Sequence, residues 1–291
     1  MINRPKTRIL LDSGDPDETV RIRGLLGYLD GQTTNPPLIA SNPHIVKYLA
    51  SGRRFTSHQG DEEYKSTVQR ISPLVGSAGV SIEVFADSTT SAEHMFEQGR
   101  EMYAWIDNAY IKYPCTAEGI RAAQRSVASG MRVNMTLCFS QQQAAAVYAA
   151  TKGSASPVYV SPFIGRLDEI GKPGIDLVKN IQRMFLQGDG HVLLLAASIR
   201  SLEHLLCCLS LDVDLVTVPS SVLSQWAIAN FPVVGPPVMH SWIGDTIPYE
   251  TLDLEQPWES FDSSHSLTRQ GIERFAHDYD QALAPCELIP Q

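Results

Sequence analysis

Six short apolar runs each end on polar side chains. They read Leu10-Leu11-Asp12, Ser81-Ile82-Glu83, Tyr110-Ile111-Lys112-Tyr113-Pro114, Asn134-Met135-Thr136 and Tyr159-Val160-Ser161, and the run after His191 leads through Ser198 to Arg200. Alternate residues of a strand share one face, so Asn134 and Thr136 fall on the same side. If these faces meet, one interior holds two acids, a lysine, an amide and several hydroxyls. No ordinary core tolerates that collection unpaired. The set suits one chemistry. An amine in apolar surroundings gives up its proton more readily and attacks a carbonyl, forming a Schiff base. The protonated imine then draws electrons from a neighbouring carbon–carbon bond. Cleavage needs a carboxylate to take the proton of the hydroxyl beyond that bond, and a second polar group to manage water. Lys112, with Asp12 and Glu83, meets that need without a metal.

Taken singly, each residue also has a plain structural reading. Asp12, ahead of Ser13-Gly14-Asp15-Pro16, can be a turn or helix-cap residue. Glu83 can be half of an ion pair, and Lys112 a side chain that reaches solvent. Asn134 and Thr136 can be a hydrogen-bonded strand pair.

Several other chemistries lack their residues. The eight histidines show no metal-ligand spacing, and neither HxH nor HExxH occurs. No GxGxxG follows a strand and no Walker A loop is present, so neither a metal nor a nucleotide cofactor is expected. Five cysteines, at 115, 138, 207, 208 and 286, form no CxxC pair and leave one over. That argues against zinc or disulfide frameworks and for a reducing compartment. Asn134-Met135-Thr136 matches the N-glycosylation sequon, but a core strand of a cytosolic chain makes the match spurious. Acids outnumber bases 32 to 23, a net charge of −9. Nucleic acid, which calls for a basic face, is therefore not an expected partner. An anionic small substrate is compatible, because a few arginines can be focused in one cleft. The start, MINRPKTRILLDSGD, has no apolar stretch of signal-peptide length. The longest apolar run, Val192 to Ile199, falls short of the ~18 residues a membrane span needs. The expectation is a soluble, cytoplasmic protein that does not engage membranes.

Some framework must bring the strand ends together. The 291 residues, 43% of them apolar, are about twice the ~150-residue domain prior, a length α/β barrels reach as one domain. Strands are predicted at 7–12, 28–33, 79–84, 109–113, 131–137, 156–161, 191–197 and 212–218. Amphipathic helices are predicted at 90–107, 116–129, 140–152, 174–187 and 200–209, with Ser140 as an N-cap and Gly153 as a stop. Eight strands alternating with helices make an α/β fold, the (β/α)8 TIM barrel, whose chemistry sits at the C-terminal strand ends. The stretch 220–263 carries Pro232, Pro236, Pro237, Pro248 and Pro257 among Trp242, Tyr249, Trp258 and Phe261. So many aromatics predict an ordered excursion over the barrel. Beyond it, Ile272, Phe275, Ala276, Tyr279, Ala282 and Leu283 recur at helical spacing, predicting a C-terminal helix docked by its apolar face. The chain reads as one barrel domain over 1–291, with 220–291 as an extension packed on it.

At these residues the sequence resembles the transaldolase family. The matching stretches are LDSGD (11–15), DGQTTNPPLIA (30–40), SIEV (81–84), IKYP (111–114), VNMTLCFS (133–140), SPFIGR (161–166) and AASIR (196–200). They run in family order, one per successive barrel strand. The resemblance implies a metal-free, cofactor-free class I aldolase mechanism on sugar-phosphate substrates, of the pentose phosphate pathway type. A dihydroxyacetone unit passes from a ketose phosphate, fructose 6-phosphate or sedoheptulose 7-phosphate, to an aldose phosphate. By position, Lys112 resembles the Schiff-base lysine and Asp12 the acid/base on the donor hydroxyl. Glu83 and Thr136 resemble the pair that holds the catalytic water. Asn35 and Asn134 resemble asparagines that bind substrate hydroxyls, and Ser161 a serine near the dihydroxyacetone end. Arg166 and Arg200, with Ser198 beside them, resemble phosphate-binding residues, a task guanidinium groups suit because they bind phosphate bidentately. Tyr113 stands where the family usually has Ile or Val, and strand parity turns it from the axis. Pro37 and Ser13 also depart, replacing a usual serine and threonine. Two alternatives are a fructose-6-phosphate-type aldolase that releases free dihydroxyacetone and a non-catalytic sugar-phosphate-binding barrel. The aldolase type generally has Gln at the Glu83 position and Tyr at the Phe163 position. Loss of Lys112 or Asp12 would favour the scaffold. The sequence leaves a homo-oligomer, and the natural sugar pair, open.

Overall fold

The computed structural model describes residues 4–232 and 245–283. Eight parallel strands close into a barrel in sequence order: β1 (Arg8–Asp12), β2 (Gly31–Thr33), β3 (Gly79–Glu83), β4 (Ala109–Pro114), β5 (Val133–Cys138), β6 (Val158–Pro162), β7 (Val192–Ala196) and β8 (Leu215–Val218). Between the strands run α1 (Pro16–Leu26), α2 (Pro36–Ala40), α3 (Pro43–Ala50), α4 (Ser57–Ile71), α5 (Ala92–Tyr103), α6 (Ala117–Ala128), α7 (Gln141–Ala150), α8 (Ile164–Asp168), α9 (Gly174–Phe185) and α10 (Leu202–Ser210). After β8 come α11 (Ser220–Ile228) and α12 (Ser266–Leu283). The architecture is the (β/α)8 TIM barrel that the strand–helix alternation predicts. Among the described residues no helix is long and apolar enough to cross a membrane.

Alternation along the strands sorts side chains into two cores. Ile9, Leu11, Ile111, Met135, Val160 and Leu194 belong to the large core shared with the helices. Leu10, Tyr110, Tyr159, Leu195 and Leu215 form a cluster of their own with Ala78, where the Tyr110 and Tyr159 rings stack 4.2 Å apart. Two residues further along the same faces of β1, β4, β6 and β8 stand Asp12, Lys112, Ser161 and Thr217. One period of the pleat therefore carries each strand from apolar plug to polar mouth. Tyr113 has the opposite parity, and its hydroxyl meets Ser126 Oγ at 2.9 Å on α6. A Cβ on Gly99 of α5 would lie 2.0 Å from that hydroxyl, so only glycine lets α5 pack over the ring.

Two strands start three residues later than their apolar runs suggest, β2 at Gly31 and β8 at Leu215. In each case an aspartate just ahead takes over a neighbour's backbone N–H: Ile9 donates to Asp30 at 2.8 Å and Leu194 to Asp214 at 2.9 Å. Helices α1–α4, α8 and α11 lack a sequence expectation. α1 is set by its ends: Asp15 accepts from Asp17 N, Pro16 holds the first turn, and Gly27 closes it at φ +75°. Asp15, not Asp12, is thus the cap, which leaves the Asp12 carboxylate to the barrel mouth.

In the stretch 220–263, Pro236, Pro237 and Trp242 lie outside the described residues. Trp258 and Phe261 are buried, and Gln141 of α7 clamps Glu250 through two bonds, donating to its carbonyl at 3.0 Å and accepting from its N–H at 2.8 Å. α12 then crosses toward β5, where Thr268 donates to the Leu137 carbonyl at 2.9 Å. Its Ile272 and Ala276 are buried; the side chains of Tyr279, Ala282 and Leu283 lie outside the described residues.

Candidate active site

The register of β3, β4 and β5 places Glu83, Lys112 and Asn134 in one row across three adjacent strands. The Lys112 and Glu83 side chains are each 5% exposed, with Nζ 2.9 Å from Glu83 Oε2. Nζ also donates to the Thr34 carbonyl at 2.9 Å. Burial pushes the Glu83 carboxyl above its ordinary range; Lys112 opposes that shift and Asp12 adds to it. Asp12 ends β1 beside Thr33, which donates to Asp12 Oδ1 at 2.7 Å and lies 2.5 Å from the Thr217 hydroxyl. Because the single Thr33 proton goes to Asp12, Thr217 is the donor in that second contact. Burial likewise raises the Asp12 carboxyl, while Lys112, the Thr33 hydrogen bond and Arg200 pull it back.

Asn134 is held at both ends of its amide, donating to Ser81 Oγ at 3.0 Å and accepting from Ser161 Oγ at 2.8 Å. Thr136 sits where the β5–β6 register shifts between Met135 and Cys138, and Leu137 next to it has φ +56°. Such a bulge re-aims side chains at a strand end. The Thr136 hydroxyl is buried with no hydrogen-bond partner among the described residues. Asn35 caps α2, its Oδ1 accepting from Leu38 N at 2.8 Å.

Arg166 lies on α8 and Arg200 follows β7, two residues after Ser198 at φ +57°. The Glu169 carboxylate joins them, 3.2 Å from Arg200 and 3.7 Å from Arg166. Arg200 N–H donates to His204 Nδ1 at 3.3 Å, and His204 Nε2 contacts Asp168 at 2.8 Å, so the backbone carrying the guanidinium is tied to α10. A Cβ on Gly165 would stand 2.3 Å from Arg200 Cγ and 2.6 Å from the Ser198 carbonyl. Glycine there allows the arginine to cross α8.

One cavity of about 240 Å³ is lined by Asp12, Asn35, Lys112, Asn134, Thr136, Ser161, Phe163, Arg166, Ser198 and Arg200. Of the residues singled out in the sequence only Glu83 is missing from that wall; it reaches Lys112 from a smaller adjoining cavity shared with Pro36, Phe275 and Ala276. The structure adds Thr33 and Thr217 around Asp12, and Gly271, Arg274, Phe275 and Asp278 from α12. Thr217 has a sequence signal, a polar residue two beyond Leu215 in an apolar run. Of the α12 residues only Phe275 has one, its place on the apolar face; Gly271, Arg274 and Asp278 have none, because helical periodicity identifies the buried face and not what its edge overhangs.

The family model for Transaldolase/Fructose-6-phosphate aldolase matches residues 9–285. Among curated relatives, a probable transaldolase of Roseiflexus sp. (strain RS-1) is 34% identical over 75% of this chain and 88% of its own length. A probable transaldolase of Chlorobium limicola is 36% identical over 78% and 92%, and one of Parabacteroides distasonis 37% identical over 74% and 88%. Among solved structures, 3-hexulose-6-phosphate synthase from Salmonella typhimurium aligns over 78% of this chain and 99% of its own, with 13% identity and a TM-score of 0.46. With that family model spanning all eight strands, this chain belongs to the transaldolase/fructose-6-phosphate aldolase family.

Proposed function

We propose that the protein is a transaldolase that carries a dihydroxyacetone unit on Lys112 between sugar phosphates, in the cytoplasm. The observation that carries this reading is a buried lysine in contact with one carboxylate, opening into a cavity that also holds a second carboxylate and two arginines. Glu83 takes a proton from the Lys112 ammonium, a role its raised carboxyl favours, and the freed amine attacks C2 of the ketose phosphate. Glu83, with a water held on Thr136, returns a proton to the departing oxygen, so a protonated imine and one water result. Asp12 then removes the C4 hydroxyl proton, the C3–C4 bond breaks, and its electrons enter the imine as an enamine. The aldose phosphate leaves as an aldehyde. An acceptor aldehyde phosphate takes its place, C3 attacks it, and Asp12 gives the proton back to the new hydroxyl. Hydrolysis of the imine frees the product and restores Lys112.

The carboxyl of Asp12 must alternate between base and acid, and a value raised by burial brings the two forms closer at neutral pH. In this reading Asn35 and Asn134 bind substrate hydroxyls, Ser161 stands near the dihydroxyacetone end, and Arg166 and Arg200, with Ser198 beside them, take the phosphate; all six line the one cavity. Phe163, packed edge-on against Phe139 at 5.6 Å, offers the enamine no hydroxyl from which to draw a proton. That favours transfer over release.

Borohydride reduction with fructose 6-phosphate, followed by peptide mass spectrometry, tests the reading. The adduct is expected on the peptide containing Lys112, and Lys112→Met should lose both adduct and turnover. An adduct on another lysine overturns the assignment. Rapid release of free dihydroxyacetone with no acceptor present replaces transfer with aldol cleavage.

A further inference from the structure

In a regular parallel ladder, a residue whose N–H donates across the gap accepts on its own carbonyl the N–H two residues further along the partner strand. Thr34 follows the first half of this rule, its N–H donating to the Ser81 carbonyl at 2.9 Å. The second half would send the Glu83 N–H to the Thr34 carbonyl. It goes elsewhere: the Glu83 N–H donates to Tyr64 Oη at 3.0 Å. The Thr34 carbonyl accepts from Lys112 Nζ at 2.9 Å instead. The exchange happens where β2 ends and the chain turns into α2.

Tyr64 comes from α4 and is 3% exposed. Its hydroxyl also lies 2.8 Å from Thr34 Oγ1, which in turn donates to the Ser81 carbonyl at 2.7 Å. The one threonine proton is committed to Ser81, so the phenol donates to Thr34 while accepting from Glu83. The ring packs edge-on against Trp105 at 5.8 Å, which fixes where the hydroxyl can reach. Tyr64 does not line the substrate cavity.

We propose that Tyr64 is a positioning residue for the imine-forming lysine: by taking the Glu83 N–H it releases the Thr34 carbonyl to hold the Lys112 nitrogen against the Glu83 carboxylate. The inference rests on Lys112 being the covalent residue. Without the phenol hydroxyl the ladder closes, Glu83 N–H turns to the Thr34 carbonyl, and Lys112 loses one of its two contacts. The nitrogen then spends less of its time beside the base and the sugar carbonyl. A residue that merely fills core or satisfies a buried N–H would affect stability and leave the chemistry alone.

The test is Tyr64→Phe in the full chain, with Tyr64→Met as a second way to delete the hydroxyl should the first not fold. Three quantities are measured: the rate of borohydride trapping at saturating fructose 6-phosphate, the KM for that sugar, and the melting temperature. The expected result is trapping slowed about tenfold or more, the scale of losing one hydrogen bond that acts on the reacting group, with KM unchanged within about twofold. Trapping at the parent rate in a folded variant, whatever its melting temperature, overturns the proposal. So does a rise in KM with the saturated rate unchanged, which would put Tyr64 in binding. Lys112→Met is run alongside. If that variant still traps sugar, the failure belongs to the assignment of Lys112; if it does not and Tyr64→Phe is normal, the failure belongs to Tyr64.

Discussion

Arg166 and Arg200 illustrate how much a single side chain decides here. They come from successive βα segments, and Glu169 bridges them with a carboxylate where two cations face the cavity. Alanine at either arginine should raise KM for phosphorylated donors by about one to two orders of magnitude, the loss of one charge-assisted contact of ~1.5–3 kcal/mol. Free sugars should be barely affected; equal losses on both would assign the arginines a structural role. Glu169→Gln should act in the opposite sense. It removes the internal anion that competes for the pair while keeping the shape, so KM for the phosphosugar should fall about two- to fivefold, a small change because Glu169 is half exposed. Steady-state kinetics at fixed ionic strength reads both effects. The arginines were legible in SPFIGR and AASIR, whereas Glu169 was not: its pairing depends on how α8 and the β7 loop fold back on each other.

The elements supply aim. Most of the site stands at strand ends in near-regular geometry, and two departures adjust the rest: the β5 bulge at Leu137 and the left-handed Ser198 after β7. Non-glycine residues held at positive φ cost on the order of 1–3 kcal/mol each, which the surrounding barrel must over-determine. Gly165 is the third adjustment. Gly165→Ala drives a methyl into Arg200 Cγ and the Ser198 carbonyl. The chain should still fold, since part of the collision is with a flexible side chain. KM for the phosphorylated donor should nevertheless rise about tenfold through the displaced guanidinium, with circular dichroism unchanged. A wild-type KM would mean that Arg200 can bind from another rotamer. Helices α5, α6, α7, α9, α10 and α12 were legible in the sequence, α7 through its Ser140 N-cap and Gly153 stop and not through an apolar stripe. α2 and α8, which carry Asn35 and Arg166 to the cavity, are five residues each, too short for periodicity to register.

Closure of the barrel sets the electrostatics of the whole molecule. It brings β1 against β8, so Asp12 meets Thr33 on one side and, through it, Thr217 on the other, while Lys112 and Arg200 act from across the mouth. Burial raises the Asp12 carboxyl, so the folded chain binds that proton more tightly than the unfolded one. The linkage sign follows. The group does not penalise folding at low pH, and stability is lost as pH rises through its folded-state value. Asp12→Asn should therefore stabilise the protein at pH 7 by about 1 kcal/mol, a gain that fades on acidification toward the ordinary carboxylate range, ~3.9. Turnover should fall by about 10²–10⁴-fold. Denaturant melts at neutral and acid pH check the sign, and an equal gain at both would assign it to packing. By itself, the sequence determined the fold class, the strand order and the inward parity of Asp12, Lys112, Asn134 and Thr136, because pleat and strand–helix alternation are local and periodic. Which atoms touch was decided only by tertiary structure. Glu83 against Lys112, Tyr64 in place of a ladder bond, Glu169 between two arginines and α12 across the mouth all join residues distant in the chain. Barrel closure and helix docking bring them together, and no local period records that geometry.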